Sequence, residues 1–164
     1  MLTVLSGFMG SGKTSVGKIL ADMLGCPFAD LDAIVEKAEG KTIKEIFAAG
    51  GEEAFRKKEA ETLRKTVARY RESPAVLALG GGTEDIRKYL KGIDSVVVWL
   101  RTGIDTIRER LSDTDASRPM LASHDIGDLL ASRESGYEAS ADVIIDTDGL
   151  TAEEIAQEII ICAL

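Results

Sequence analysis

Near its start the chain reads Gly7-Phe8-Met9-Gly10-Ser11-Gly12-Lys13-Thr14, which satisfies the pattern G-x-x-x-x-G-K-[ST]. The chemistry open to such a stretch is anion binding. Its glycines let the backbone curl until successive N–H groups point into one concavity, Lys13 adds a point charge, and Thr14 offers a hydroxyl to Mg²⁺. Further along come Asp30 and Asp32, then Arg56 and Glu59 one helical turn apart, the triplet Gly80-Gly81-Gly82, and the arginines Arg110, Arg118 and Arg133. One of the two carboxylates can approach Mg²⁺ and the other an acceptor hydroxyl, while the planar guanidinium suits two-toothed binding of carboxylate or phosphate. Each also has a bland reading. An aspartate at 30 or 32 can simply cap a helix, Arg56 and Glu59 can be a solvated pair worth about 0.2–0.5 kcal/mol, and a lone arginine is usually a surface charge.

Elements of the right kind surround these residues. Leu2 to Ser6 is a short, mostly apolar run that reads as a buried strand, and Val16, Ile19, Leu20, Met23 and Leu24 follow at helical spacing until Gly25 and Pro27 close the helix. Strand, glycine loop and helix together aim a helix N-terminus at phosphate. Phe28 to Asp30, Ala75 to Leu79, Val96 to Leu100 and Val143 to Ile145 are apolar on successive residues, the mark of parallel strands covered on both faces. On that reading Asp30 and Asp32 end the second strand, where alternation along an extended segment sends both carboxylates to one side.

Helical periodicity fills the intervals. Thr42 and Glu45 form a capping box ahead of Ile43, Ile46 and Phe47, and Gly50-Gly51 ends that short helix; a longer one runs from about Glu52 to Arg71. Others are marked by Ile86, Tyr89 and Leu90, by Ile104, Ile107 and Leu111, and by Ile126, Leu129 and Leu130 leading toward Tyr137. Thr151 and Glu154 cap the last. Strands alternating with helices predict a three-layer α/β sandwich, expected as a single domain over residues 1–164.

Composition narrows the partners. With 45% hydrophobic and 29% charged residues the chain reads as an ordinary soluble globule, and no apolar run approaches the roughly 18 residues of a membrane span. No basic leader precedes an apolar segment, so a cytoplasmic protein is expected. A net charge of −8 argues against nucleic acid and against an acidic membrane, so the positive charge that the loop requires must be concentrated in a cleft. Cys26 and Cys162 match no metal or redox spacing and are expected to be reduced thiols. From Ser112 to Asp125 the chain is polar and aperiodic apart from Pro119-Met120-Leu121; a plain loop and a lid that excludes water both fit, and the lid is preferred. His124, the only histidine, lies in that segment with no partner nearby and is read as solvated.

Taken together, Gly7 to Thr14, Asp30-x-Asp32, Phe55-Arg56-x-x-Glu59, Leu79-Gly80-Gly81-Gly82, Arg118-Pro119 and Arg133-x-x-x-Tyr137 occur in an order and approximate spacing that resembles the shikimate kinase family over nearly the whole chain. The resemblance implies a five-stranded parallel sheet in the order 2-3-1-4-5 and transfer of the ATP γ-phosphoryl to the 3-hydroxyl of shikimate, by a monomer that uses Mg²⁺. It assigns Gly10, Ser11, Gly12, Lys13, Thr14 and Ser15 to the nucleotide phosphates, with Thr14 and Asp30 near the metal ion. Asp32 would face the acceptor hydroxyls; Arg56, braced by Glu59, and Arg133 would clamp the carboxylate. Gly80, Gly81 and Gly82 would line its pocket. Arg118 would swing in with the lid and Arg110 would lie over adenine.

Two departures from that pattern are visible. Asp146-Thr147 is followed by Asp148-Gly149 where a basic residue often helps to frame adenine, and the lid reads Arg-Pro-Met-Leu where Arg-Pro-Leu-Leu is usual. The first puts that adenine contact in doubt; the second is a swap of similar volume. An aspartate of ordinary pKa is a feeble base at neutral pH, so Asp32 is expected to orient the hydroxyl, with Lys13, Mg²⁺ and Arg118 stabilising charge. Another small-molecule kinase, such as a gluconate kinase, and a nucleotide-dependent switch remain as alternatives.

Overall fold

The computed structural model describes residues 1–83, 85–112 and 125–164. Five parallel strands form one sheet in the order β2-β3-β1-β4-β5, as the resemblance implied: β1 (Leu2–Ser6), β2 (Phe28–Asp30), β3 (Ala75–Ala78), β4 (Ser95–Arg101) and β5 (Val143–Asp146). Every residue of β1 and β3 is buried, because helices cover both faces and neither can alternate with solvent. Leu5 on β1 and Val96, Val98 and Leu100 on β4 pack under α1 (Lys13–Leu24) and α7 (Ala152–Ala163). Leu2, Val4, Leu77 and Val97 face the opposite layer, where Leu63 and Val67 of α3 (Ile43–Arg69) and Ile86 and Leu90 of α4 (Ile86–Leu90) cover them. Phe8, Trp99, Ile107 and Leu111 make a further cluster with Leu129, Leu130 and Tyr137, joining α5 (Ile104–Ser112) to α6 (Ile126–Ser140).

Local signals account for most boundaries. Gly25 ends α1 in the left-handed region, and Thr42–Glu45 and Thr151–Glu154 are both complete capping boxes. As expected, two helices meet at the glycine pair: the run Ile43–Arg69 is broken at Gly51, whose φ of 70° and ψ of −170° are not helical, and its second part ends at Arg69, close to the expected Arg71. Asp32 belongs to the first turn of α2 (Leu31–Glu39) and not to an extended segment, so alternation along a strand does not explain its position. Val35 of α2 forms a separate apolar cluster with Ile46 and Phe55, which lie on either side of the Gly51 break, so both parts of α3 pack against α2 there. No described helix is long and apolar enough to cross a membrane.

Candidate active site

β1 lies between β3 and β4, so the loop leaving its C-terminal end opens into the crevice where the strand order reverses. Gly7, Gly10 and Gly12 hold φ of 142°, 81° and 93°, values that side chains rarely adopt, and a methyl at Gly7 would lie 2.7 Å from the Leu100 carbonyl oxygen. Helix α1 begins at Lys13, so the N–H groups of its first turn have no acceptor within the helix and face the concavity. Lys13 is buried to 8% exposure and its ammonium donates to the carbonyl oxygens of Gly7 (2.7 Å) and Phe8 (2.8 Å), which draws the loop around the charge.

The Thr14 hydroxyl donates to Asp30 Oδ2 at 2.7 Å, while Asp30 Oδ1 accepts from the Ala33 N–H at 3.3 Å. Capping and approach to the phosphate loop, posed as alternatives for this aspartate, are both realised, one by each oxygen. Arg110, in the last turn of α5, donates to the Gly10 carbonyl at 3.0 Å and thereby stands at the rim of the loop.

The triplet after β3 forms the opposite wall. Thr83 N–H donates to the Gly80 carbonyl at 3.1 Å and closes a turn. A methyl on Gly81 would come within 2.8 Å of the Met9 backbone nitrogen, so the turn abuts the phosphate loop directly. A methyl on Gly82 would collide with the Arg56 guanidinium and stand 2.9 Å from that of Arg133, and one on Gly80 would lie 2.7 Å from Glu59 Oε1 and 2.8 Å from Asp32 Oδ1. Two cations thus converge at one end of the triplet and two carboxylates at the other.

Packing holds these groups in place. Arg56 donates to Glu59 Oε2 at 2.8 Å, and Glu52 lies 3.4 Å away on the outer side. Burial works against the Arg56 charge, but Glu59 and then Glu52 outweigh it and raise its pKa. The guanidinium of Arg133 lies 5.6 Å from the centre of the Phe8 ring and donates to the Gly81 carbonyl at 3.0 Å; the Tyr137 hydroxyl donates to the same oxygen. Burial pushes the Tyr137 phenol up to about 12, against the opposing pull of Arg133.

One cavity of about 590 Å³ is lined by Lys13, Thr14, Ser15, Asp30, Asp32, Arg56, Glu59, Gly80 to Gly82, Arg110 and Arg133, with Ile43, Phe47 and Phe55 as an apolar side. Among the expected site residues Arg118 lies outside the described residues, as do His124 and most of the segment expected to be a lid. Thr83 and Tyr137 carry hydrogen bonds to the triplet and its neighbours that the sequence did not assign to them; the signal for Thr83 was adjacency to Gly82, and that for Tyr137 its place in the motif Arg133-x-x-x-Tyr137. Asp148 accepts from the Gly103 N–H through both oxygens (3.2 and 3.1 Å), so the acidic residue after Thr147 is engaged with the start of α5. Cys26 and Cys162 are free thiols, with burial the main cause of the raised Cys26 pKa.

A parallel sheet in this order, a lysine-bearing phosphate loop at its switch point and an acceptor cavity beside it define a P-loop kinase acting on a small molecule. The family profile described as shikimate kinase matches residues 9–163. Shikimate kinase of Thermodesulfovibrio yellowstonii is 44% identical over 96% of this chain and 91% of its own length, and that of Moorella thermoacetica 46% identical over 95% and 90%. The structure of shikimate kinase from Acinetobacter baumannii in complex with shikimate superposes with a TM-score of 0.88 at 36% identity, covering 97% of this chain and 90% of that one. The chain belongs to the shikimate kinase family.

Proposed function

We propose that the protein transfers the γ-phosphoryl of ATP to the 3-hydroxyl of shikimate, giving shikimate 3-phosphate and ADP on the route to aromatic amino acids. The observation that carries this reading is the convergence of Arg56 and Arg133 on Gly82, in the same cavity as Asp32 and the phosphate loop. Two guanidinium groups at one spot suit the carboxylate of a cyclic acid, and the carboxylates beside Gly80 suit its hydroxyls.

In this reading Gly10, Ser11, Gly12 and the first turn of α1 bind the nucleotide phosphates, and Lys13 exchanges loop carbonyls for β and γ oxygens. Thr14 and Asp30 offer adjacent hard oxygen donors, which fits Mg²⁺, an ion that takes one or two protein oxygens and completes its shell with phosphate and water. Among the described residues no group of three or more His, Cys, Asp or Glu could hold a metal ion by itself, so a cation shared with ATP suits the site. When bound, Mg²⁺ would neutralise charge on the transferring phosphate. Asp32 orients the 3-hydroxyl and takes its proton late, because a largely dissociative transfer needs little proton abstraction beforehand. Glu59 braces Arg56. Arg110 stands at the nucleotide side, and Arg118, in the segment expected to close, meets the phosphates.

The test is ADP release coupled to NADH oxidation, with shikimate, gluconate and no acceptor compared at equal concentration. Strong dependence on shikimate is expected. Turnover with gluconate alone would assign another acceptor, and release independent of any acceptor would remove the kinase reading.

A further inference from the structure

We infer that Thr83 is a positioning residue for the acceptor, acting through Glu59 on Arg56; this rests on the proposal that Arg56 meets the acceptor carboxylate. Glu59 is only 4% exposed and each of its oxygens has one donor among the described residues. Arg56 Nη1 holds Oε2 at 2.8 Å, and the Thr83 hydroxyl holds Oε1, also at 2.8 Å. A carboxylate pinned from both sides cannot rotate, so the guanidinium it carries is aimed.

The same threonine closes the glycine turn through its N–H to Gly80 O at 3.1 Å. One residue therefore fixes both the wall of the cavity and the brace of the cation that points along it. Around Gly80 the three groups meet, since a methyl there would lie 2.7 Å from Glu59 Oε1, 2.8 Å from Asp32 Oδ1 and 3.2 Å from Thr83 Oγ1. The threonine hydroxyl is the proton donor in that trio when both carboxylates are ionised. Without it, Glu59 Oε1 is left buried next to a like charge and lacking its donor, and the carboxylate turns. Arg56 then has a competing partner in Glu52, 3.4 Å away on the solvent side, which draws the guanidinium off Gly82.

Thr83→Val keeps the shape and removes only the hydroxyl. The expected result is a KM for shikimate raised about five- to thirtyfold, the size of one hydrogen bond to a charged group only partly lost, with kcat and the KM for ATP within about twofold. Thr83→Ser returns the hydroxyl and restores the KM. In an Arg56→Ala background Thr83→Val adds less than about twofold, whereas a merely structural role would multiply through independently. If Arg56→Ala raises the shikimate KM and Thr83→Val does not, the inference is overturned and the carboxylate-clamp reading stands. If Arg56→Ala itself leaves the KM unchanged, both fall. Melting curves identify an unfolded variant, and Thr83→Ala against Thr83→Ser then makes the same comparison.

Discussion

Gly82→Ala and Gly81→Ala change adjacent residues by the same methyl group and should fail in different ways. At Gly82 the atoms nearest the new carbon belong to the guanidinium ends of two arginine side chains, Arg56 Nη2 too close to tolerate and Arg133 Nη2 at 2.9 Å. Its φ is not positive, so alanine fits the backbone. To reach ordinary contact the Arg133 guanidinium must withdraw by roughly 0.5–1 Å and that of Arg56 by more than about 1 Å, and a misplacement of about 1 Å can cost about a hundredfold in rate. A hydrogen bond to a charged group contributes about 1.5–3 kcal/mol. Losing about half of that at each arginine removes about 1.5–3 kcal/mol, or about ten- to 150-fold in kcat/KM for shikimate. Folding stability should stay within about 1 kcal/mol, since flexible tips move cheaply and alanine restricts the unfolded chain.

At Gly81 the methyl would press on backbone, with Met9 N at 2.8 Å and the Phe8 carbonyl carbon at 3.4 Å. Overpacking of this kind costs about 1–3 kcal/mol and displaces the phosphate loop, so the KM values for ATP and shikimate should rise together. The assay is steady-state ADP release with each substrate varied, beside thermal melts of both variants. A Gly82→Ala enzyme whose kcat/KM for shikimate stays within about threefold of the parent would refute the argument that the arginines meet the acceptor at this point.

Three further outcomes are expected. Asp30→Asn keeps a helix cap but lowers the charge beside Thr14, so stability should change by less than about 1 kcal/mol while half-maximal activity requires several times more Mg²⁺; an unchanged Mg²⁺ titration would detach Asp30 from the metal ion. Arg118→Ala should depress kcat far more than either KM, and full turnover in a stopped or continuous assay would remove this arginine from the phosphates. Tyr137 has a folded pKa of about 12 against about 10 unfolded, so its contribution is complete below pH 10 and declines as pH rises toward 12, by at most about 1.4 kcal/mol per pH unit. Urea midpoints at pH 9 and pH 11 should therefore differ less in Tyr137→Phe than in the parent, and equal differences would contradict the burial argument.

The parts of this protein that were legible in its sequence are those whose cause is local. The phosphate loop works through backbone N–H groups and positive-φ glycines, so eight consecutive residues specify it, and the strand before it and helix after it follow from runs and periodicity of the same reach. Capping boxes at Thr42 and Thr151 close over three residues and were read correctly for the same reason. The identity of the acceptor-site side chains was also legible, through their ordered resemblance to a family. Their arrangement was not. Arg56 and Arg133 stand on separate helices and reach the same glycine because Val35, Ile46 and Phe55 set the rotation of one arm while Leu129, Leu130 and Tyr137 set that of the other. Asp32 reaches the cavity from a helical turn instead of a strand, and Asp148 finds the Gly103 N–H only because β5 lies beside β4. Side chains far apart in sequence acquire a mutual distance only when packing fixes the phase of the helices that carry them, and no local pattern of residues encodes that phase.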